Sequence, residues 1–289
     1  MAEQFDGDWL DLREPYDAMA RNAALARRLA AALPARPRIL DLGAGTGSLL
    51  RWLGHWIARS QGWILVDADA ALIERAFETI AERADSVGWA VTWPGKRTLL
   101  VHAPGGAWRV EGLVTDLSEA PANLPLDRVD AVVNTALCDL VSADWTLRMA
   151  AACAPRRLPF YAALNVTGRE RFSPPHRADA LVARGFRRDQ ARDKGFGGVA
   201  LGAKAPRAIR DAFEARGYAV ETAPSDWVIA RRDGVMAAEL AAGHARAAME
   251  WERREETKIL DWTTARRVQA GMGRLAVRVG HADVLALPG

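Results

Sequence analysis

The sequence predicts an α/β fold: a doubly wound, seven-stranded, mostly parallel sheet with helices on both faces, an N-terminal helix and inserted segments. Two observations predict this class. Short apolar runs alternate with amphipathic stretches at helical spacing, as happens when crossover helices join parallel strands. The first apolar run also enters a turn with Gly43, Gly45 and Gly47. A strand, a glycine turn and a helix in that order bring bare backbone close to a nucleotide-like ligand.

The N-terminal helix is predicted over 14–33, and Pro34 and Pro37 end it. We therefore expect 1–37 to form a helical cap on a domain that covers 38–289. The strands predicted in that domain are 38–42, 62–67, a hairpin over 98–114, 129–134, 157–164, 218–221 and a closing pair around 275–287. The helices predicted between them are 46–59, 70–83, 144–153, 206–216 and a long stretch over 235–269.

Two segments are longer than a connection in this kind of sheet needs. About forty residues separate the fifth strand from the helix at 206, and we interpret 165–205 as an inserted lid. Its run Arg192-Asp-Lys-Gly-Phe-Gly-Gly198 suits a segment that closes over a reaction and excludes water. The helical insertion over 235–269 has three open interpretations: packing on the domain, covering a substrate pocket, or forming the surface of a homodimer.

Composition excludes several classes of protein. The 39 basic and 36 acidic residues give a net charge of +3 and are spread along the chain, which does not favour nucleic-acid binding. No apolar run approaches the 18 residues of a transmembrane helix, and the acidic N-terminal stretch is not typical of a signal peptide. Two cysteines, Cys138 and Cys153, make no disulfide framework. These features predict a cytoplasmic protein.

Residues 38–47 carry the strongest functional signal. They read Arg-Ile-Leu-Asp-Leu-Gly-Ala-Gly-Thr-Gly, with an acid two residues before the first glycine. A dinucleotide fingerprint, G-x-G-x-x-G, would need glycine where Ser48 stands. The spacing found instead resembles the first motif of the class I S-adenosylmethionine-dependent methyltransferases. The resemblance covers most of 38–230 and the last strand, and it implies that fold, S-adenosylmethionine as cofactor and methyl transfer as the activity.

Carboxylates follow the next two strands at the same predicted edge of the sheet. Asp67 ends the second strand and Asp116 follows the third. By resemblance, Asp67 binds the cofactor's ribose, and Asp116 with Leu117 binds the adenine. Backbone from Gly43 through Ala44 to Gly45 would then approach the methionine part. The alternative is an ordinary glycine turn with two helix-capping acids. Asp69 is expected to cap the helix that follows it.

Three further residues are candidates for cofactor contacts. Asp41 on the first strand either reaches the cofactor's amino group through water or has a structural role. Asn134 ends a buried strand at the ligand edge, where it suits a backbone or cofactor contact. Arg13 precedes the predicted first helix and is either the partner of the cofactor's carboxylate or a solvated surface arginine.

The catalytic residue is less well specified by the sequence. Asp139 is a candidate for orienting a substrate hydroxyl or amine, or for general base, with a helix cap as its alternative. His176 in the inserted segment is a second candidate base, and its alternative is a surface position. Methyl transfer from a sulfonium needs mainly an aligned acceptor, so no strong base is required. No spacing of His, Cys and carboxylates indicates a metal site.

Strand four ends Asn134-Thr-Ala136, not in the Asp/Asn-Pro-Pro-aromatic run of methyltransferases that act on nucleic-acid bases. The sequence therefore predicts a methyltransferase that acts on a small molecule, at an oxygen, nitrogen or carbon atom. RNA or protein acceptors remain an alternative. A nicotinamide-dependent oxidoreductase is another, against which the failed fingerprint counts. A binding module without catalytic activity also remains, because a fold does not fix a function.

Overall fold

The computed structural model of the chain describes residues 6–289. The helices are α1 Gly7–Ala20, α2 Ala23–Ala32, α3 Ser48–Ile57, α4 Ala70–Ser86, α5 Ala143–Cys153, α6 Asp179–Gln190, α7 Ala205–Glu214, α8 Gly234–Trp251 and α9 Glu256–Gly271. The strands are β1 Arg38–Leu42, β2 Gln61–Asp67, β3 Ala90–Gly95, β4 Thr98–Ala103, β5 Gly106–Val114, β6 Ala131–Thr135, β7 Phe160–Ser173, β8 Tyr218–Pro224, β9 Trp227–Ile229 and β10 Ala276–Pro288.

These strands form one mixed sheet in the order β3-β4-β5-β2-β1-β6-β7-β10-β8, and β9 pairs with β10. The five central strands, β5-β2-β1-β6-β7, are parallel, and the flanking strands are antiparallel to their neighbours. The predicted seven strands and mostly parallel sheet are thus corrected to ten strands with a parallel centre. Two of the additional strands are hard to predict from the sequence, because β3 is a largely exposed edge strand and β9 has only three residues.

The order reverses at β1, which pairs with β2 on one side and β6 on the other. Helices cover both faces of the parallel centre. Ile39 faces a core built with α2, α3 and α4, whereas the next residue, Leu40, faces a core built with α5 and α7. The cleft at the carboxyl ends of β1 and β6 is where doubly wound sheets bind ligands.

A third core lies beyond this sheet centre. The outer parts of β7 and β10 extend past it and pack, with β9, against α6, α8 and α9. Trp227 and Trp262 are buried in this cluster. The inserted segments therefore contribute a packed layer of helices on a continuation of the same sheet.

Four predicted elements differ from the structure. The single N-terminal helix is two helices, because Asn22 leaves the helical conformation and caps α2 through its side chain. The helix over 235–269 is likewise divided, with Glu252 in a non-helical conformation between α8 and α9. The closing strand pair is one long strand, β10. The segment 165–205 is partly regular, since it contains the end of β7 and all of α6.

Within residues 6–289, no helix combines the length and apolar character needed to cross a membrane.

Candidate functional site

A cavity of about 500 Å³ opens at the carboxyl edge of the parallel strands. Backbone and side chains from the ends of β1, β2, β5 and β6, from α1, and from the segment after α6 line it. The lining residues are Leu10, Arg13, Asp17, Gly43, Ala44, Gly45, Thr46, Ser48, Asp67, Ala68, Asp69, Ala70, Leu72, Asp116, Leu117, Thr135, Ala136, Leu137, Leu140, Lys194 and Phe196. This volume falls in the range of small-molecule and cofactor sites.

The glycine turn after β1 forms one wall. Gly43, Gly45 and Gly47 have φ values of +63°, +51° and +78°, in the left-handed region that glycine adopts without a Cβ clash. A Cβ built on Gly45 lies 3.0 Å from Leu10 Cδ1 of α1. The turn thus exposes bare backbone to the cavity, and α1 lies directly over it.

Asp67, at the end of β2, faces the same space. One carboxylate oxygen accepts a hydrogen bond from the Gly45 amide at 2.9 Å, and the other accepts one from the Asp69 amide at 3.0 Å. Burial raises the pKa of Asp67, while these two amides act in the opposite direction. A carboxylate has about four acceptor positions. Asp67 therefore retains acceptor capacity for a ligand after holding the turn in place.

Asp69 and Asp116 have the capping roles that the residue types allow. Asp69 caps α4 by accepting from the Ala71 amide at 2.8 Å, as predicted. Asp116 is exposed and accepts from the Ser118 amide at 2.8 Å. It lines the cavity together with the buried Leu117. Capping and cavity lining are compatible, so the predicted alternatives for Asp116 do not exclude each other.

Asp41 and Asn134 do not line the cavity, which favours the structural alternative for Asp41 and leaves a cofactor contact of either residue a prediction. Both side chains are fully buried in the sheet. Strand alternation is the reason: Asp41 shares a face with Ile39, and Asn134 shares a face with Val132. Each side chain points into a helix-covered face instead of the open edge. Asn134 accepts a hydrogen bond from the Cys138 thiol at 3.3 Å.

Arg13 does line the cavity, and it is no solvated surface arginine. Its Nε donates to Asp17 at 3.1 Å, and its guanidinium lies 4.9 Å from the centre of the Trp227 ring. Asp17 is buried and also accepts from the Trp227 indole at 3.0 Å. Arg21, one turn further, donates to Ser48 Oγ at 2.9 Å and to Thr135 Oγ1 at 3.2 Å. Arg13, paired with Asp17, thus lines the cavity, and the buried Arg21 lies behind the lining residues Ser48 and Thr135.

The two predicted catalytic residues lie outside the cavity lining. His176 is elsewhere in the fold: its amide donates to Asp179 Oδ2 at 2.8 Å, and its Nδ1 accepts from the Ala178 amide at 3.2 Å, at the start of α6. Asp139 does not line the cavity, whereas Leu137 and Leu140 do. Its catalytic role stays a prediction.

The run 192–198 is predicted only as part of a lid, with no site role for its individual residues. Lys194 and Phe196 come from this run and line the cavity. The Lys194 ammonium is buried and lies 2.8 Å from Asp189. Phe196 packs edge-on against Trp145, and its carbonyl accepts from Ser142 Oγ at 3.0 Å. The irregular glycine-rich run was the only signal for them.

The part of the cavity beside Lys194 and Phe196 is otherwise lined by the apolar Leu137 and Leu140. The backbone just before Leu137 is strained. Ala136 follows β6 with φ of +50°, a conformation that costs a non-glycine residue about 1–2 kcal/mol. Its amide donates to the Ala163 carbonyl at 2.9 Å. After this kink the chain runs along the cavity, and the Leu137 side chain lies against Gly43. Over residues 6–289, no group of His, Cys and carboxylates could hold a metal ion.

Comparison with known proteins gives structural likenesses alone. No protein-family model matches the chain, and no curated protein matches it. Solved structures similar to it include a SAM-dependent methyltransferase from Geobacter sulfurreducens in complex with S-adenosyl-L-homocysteine, at 15% identity, 100% coverage of both chains and a TM-score of 0.45. A SAM-dependent methyltransferase from Aquifex aeolicus is 12% identical, with 96% of this chain and 99% of that chain covered and a TM-score of 0.44.

A third similar structure is the cyclopropane-fatty-acyl-phospholipid synthase-like protein from Lactobacillus casei. It is 12% identical, with 95% of this chain and 99% of that chain covered and a TM-score of 0.49. The similar structures thus include methyltransferases, the class that the glycine motif resembles. At these scores the likenesses leave the function to be argued from the residues of the cavity.

Proposed function

We propose that this chain is an S-adenosylmethionine-dependent methyltransferase that acts on a small molecule. One observation carries the proposal. The glycine turn, Asp67, Asp116 and Leu117 come from three different strand ends, and all of them line one cavity. These are the positions that the sequence motif assigns to the cofactor. Adjacent parallel strands bring these ends to one edge in any such sheet, but an ordinary structural turn gives no reason for an open cavity of about 500 Å³ between them.

The residues present fit this cofactor. The backbone of Gly43 and Gly45 lines the cavity, with Leu137 beside Gly43 and Leu10 of the covering helix beside Gly45. Asp67 supplies acceptors for the ribose diol, and Leu117 with Leu72 supplies apolar walls for a purine ring. Arg13 adds a guanidinium beside the turn that suits the cofactor's carboxylate.

When bound, the cofactor would supply an electrophilic methyl group on a sulfonium. The chain's own residues have to bind it, exclude water and align the acceptor with that methyl group. Phe196, Leu137 and Leu140 give the far end of the cavity an apolar lining that excludes water. Lys194 lines the same end, and its ammonium is paired with Asp189, so this buried ion pair is the polar feature there that a polar group of the acceptor can approach. Alignment of the two reactants supplies the acceleration, so an acceptor that is already nucleophilic needs no strong base.

A small acceptor is favoured by the size of the site. The cofactor and the acceptor must share about 500 Å³, and Phe196 and Lys194 narrow the end that the cofactor leaves free. We infer that the acceptor enters whole, with a polar group near Lys194 and an apolar part against Phe196.

The proposal is tested by calorimetry of S-adenosylhomocysteine binding to the Asp67→Ala variant. Loss of charge-assisted hydrogen bonds, at about 1.5–3 kcal/mol each, predicts at least tenfold weaker binding, and about 100-fold if both ribose hydroxyls are held. The matched control is Asp130→Ala. Asp130 also accepts a backbone amide, that of Arg38 at 2.7 Å, but at the opposite end of β1. The Asp130→Ala variant should bind S-adenosylhomocysteine with the affinity of the unaltered chain.

Equal affinity in the Asp67→Ala variant and the unaltered chain would refute the ribose assignment. The same titration with NAD in place of S-adenosylhomocysteine separates the proposal from the oxidoreductase alternative, since only one of the two ligands should release heat. Circular dichroism of both variants checks that they are folded.

A further inference from the structure

A second, smaller cavity lies in the third core, away from the proposed cofactor site. It has a volume of about 150 Å³ and is lined by parts of β7, α6, α8 and α9. None of its lining residues lines the larger cavity. Its walls include Phe172, Val182 and Trp262, which are buried and apolar. We call it the Glu170 cavity, after the one glutamate among its lining residues.

Glu170 is the unusual member of this lining. Its side chain is 5% exposed, although it carries a carboxylate. One oxygen lies 3.5 Å from His244 Nε2, and the other, Oε1, has no hydrogen-bond partner within residues 6–289. An unpaired buried carboxylate oxygen costs free energy unless a donor satisfies it. The cavity is therefore built around an acceptor that lacks a donor.

His244 does not supply the missing donor to Glu170 Oε1. Its Nδ1 lies 2.7 Å from the Leu240 carbonyl, which only accepts, so Nδ1 carries the hydrogen. Phe186 stacks on the ring at 4.0 Å and Phe172 lies edge-on at 5.2 Å, so the ring is held in this orientation. If Nε2 is protonated it faces only Glu170 Oε2; if it is not, it is another acceptor. In both states Glu170 Oε1 needs a donor from elsewhere.

Two other charged residues that line the cavity are Arg171, which is exposed, and Asp179, which is already paired. Asp179 accepts from the Trp262 indole at 2.7 Å and from the His176 amide, and it forms an ion pair with the buried Arg266. Arg266 also donates to the Pro174 carbonyl at 2.6 Å. Within the described part of the chain, neither Asp179 nor Arg266 forms a hydrogen bond with Glu170 Oε1.

From this arrangement we propose that the Glu170 cavity binds a small alkylammonium ion. The ammonium N–H groups would donate to Glu170 Oε1, and the alkyl part would fill the space beside Phe172, Val182 and Trp262. Aromatic rings next to a carboxylate favour a cation over a neutral molecule of the same shape. A cavity of this volume takes a ligand of about six heavy atoms. Proline and alanine at its margin, Pro175 and Ala183, are exposed and half-buried, which leaves a path to solvent.

The test compares two probes of equal size and different charge, tert-butylammonium and tert-butanol. Binding to the full chain is followed by heteronuclear NMR at the Trp262 indole N–H. We expect tert-butylammonium to shift this signal in a saturable way, with at least tenfold higher affinity than tert-butanol. This comparison uses the unaltered chain, so it does not depend on a variant being folded.

The charge requirement is then tested with the Glu170→Gln variant, which keeps the shape of the side chain. It should bind tert-butylammonium at least tenfold more weakly. Glu239→Gln is the matched control, because Glu239 is an exposed glutamate on the same helix as His244 and lies outside the cavity. It should bind as the unaltered chain does. Both variants should bind S-adenosylhomocysteine normally, which separates this inference from the proposed methyltransferase function.

Three results would overturn the proposal: no saturable shift with tert-butylammonium, equal affinity for the two probes, or unchanged affinity in Glu170→Gln. The first result would mean that the cavity takes no alkylammonium ion, and the other two would mean that the Glu170 carboxylate does not select a cation.

Discussion

Asp41 is the carboxyl group in this chain whose surroundings most oppose its charge. It is completely buried in β1, and neither oxygen has a hydrogen-bond partner within residues 6–289. Burial raises its pKa to about 8, the nearby charge of Asp67 adds to the rise, and Arg21 opposes it. Asp41 is therefore neutral in the folded chain at pH 7, although the same group ionises near pH 4 when the chain is unfolded.

This difference predicts how stability depends on pH. Between about pH 4 and pH 8, the folded state keeps a proton at Asp41 that the unfolded state has lost, so the free energy of unfolding falls as pH rises. Replacing Asp41 with Asn removes this titration. As the pH rises from 5 to 8, we expect the free energy of unfolding of Asp41→Asn to increase by about 1–4 kcal/mol relative to that of the unaltered chain. Urea unfolding at four pH values measures it, and parallel stability curves for the two proteins would contradict the assignment.

At the scale of elements, α1 is the cover of the proposed cofactor site. Leu10, Arg13 and Asp17 line the cavity from one face of this helix. Ion pairs hold the helix down on the neighbouring helices. Arg75 of α4 binds Asp8 at 2.7 Å and Asp11 at 3.0 Å, and Arg51 of α3 binds Glu14 at 2.8 Å. Burial opposes ionisation of Glu14, but its hydrogen bonds and the charge of Arg51 hold its pKa below the usual value.

The ion pairs of Arg75 predict how fast the cover opens. Replacing Arg75 with Gln removes two partially exposed ion pairs of α1, so α1 should leave its closed position more often. We expect the amides of 7–20 to exchange with deuterium about two to five times faster, and S-adenosylhomocysteine to dissociate faster by a similar factor. Arg207→Gln is the control, because Arg207 forms an exposed ion pair with Asp211 on α7, away from α1 and outside the cavity lining. An unchanged dissociation rate in Arg75→Gln would show that α1 does not control access to the cavity.

The central elements could be predicted from the sequence because each carries its own local signal. β1, β2 and β6 are apolar runs with sharp ends, and the glycine turn marks where they lead. The breaks at Asn22 and Glu252 carry no comparable signal. The residues around them continue the helical spacing, and Asn22 departs from it to satisfy the start of α2. The outer half of β7 reads as polar because most of its residues are only half-buried there.

The site residues likewise differ in whether the sequence carries a local signal for them. Residues at strand ends, such as Asp67 and Asp116, could be predicted because parallel strands bring their carboxyl ends to one edge. Asp41 could not, because the direction of a side chain within a strand depends on which face its neighbours occupy. Lys194 and Phe196 could not be placed either, since nothing local shows where a forty-residue segment returns to the sheet.

At the scale of the whole molecule, two long strands join the three cores. β7 and β10 pair along their lengths and pass from the sheet centre into the third core. Asp283 ties them together where they pass. It is fully buried and accepts from the Tyr161 hydroxyl and the Leu164 amide on β7, at 2.8 Å each, and from the Asn22 amide at 2.7 Å. These bonds hold the inner parts of β7 and β10 together, and the same two strands stay paired into the third core, so the cores should unfold together.

Reciprocal substitutions in two cores test this coupling. Ile39 in β1 and Ile259 in α9 are both fully buried, in the first and third cores respectively. Replacing either with Val should cost about 0.5–1.5 kcal/mol. In a cooperative molecule that cost lowers the free energy of global unfolding, so the slowest-exchanging amides of both elements should exchange faster by the same factor in either variant. If Ile259→Val accelerates exchange in α9 and leaves β1 unchanged, the third core unfolds on its own. In that case β7 and β10 would connect the cores covalently without coupling their unfolding.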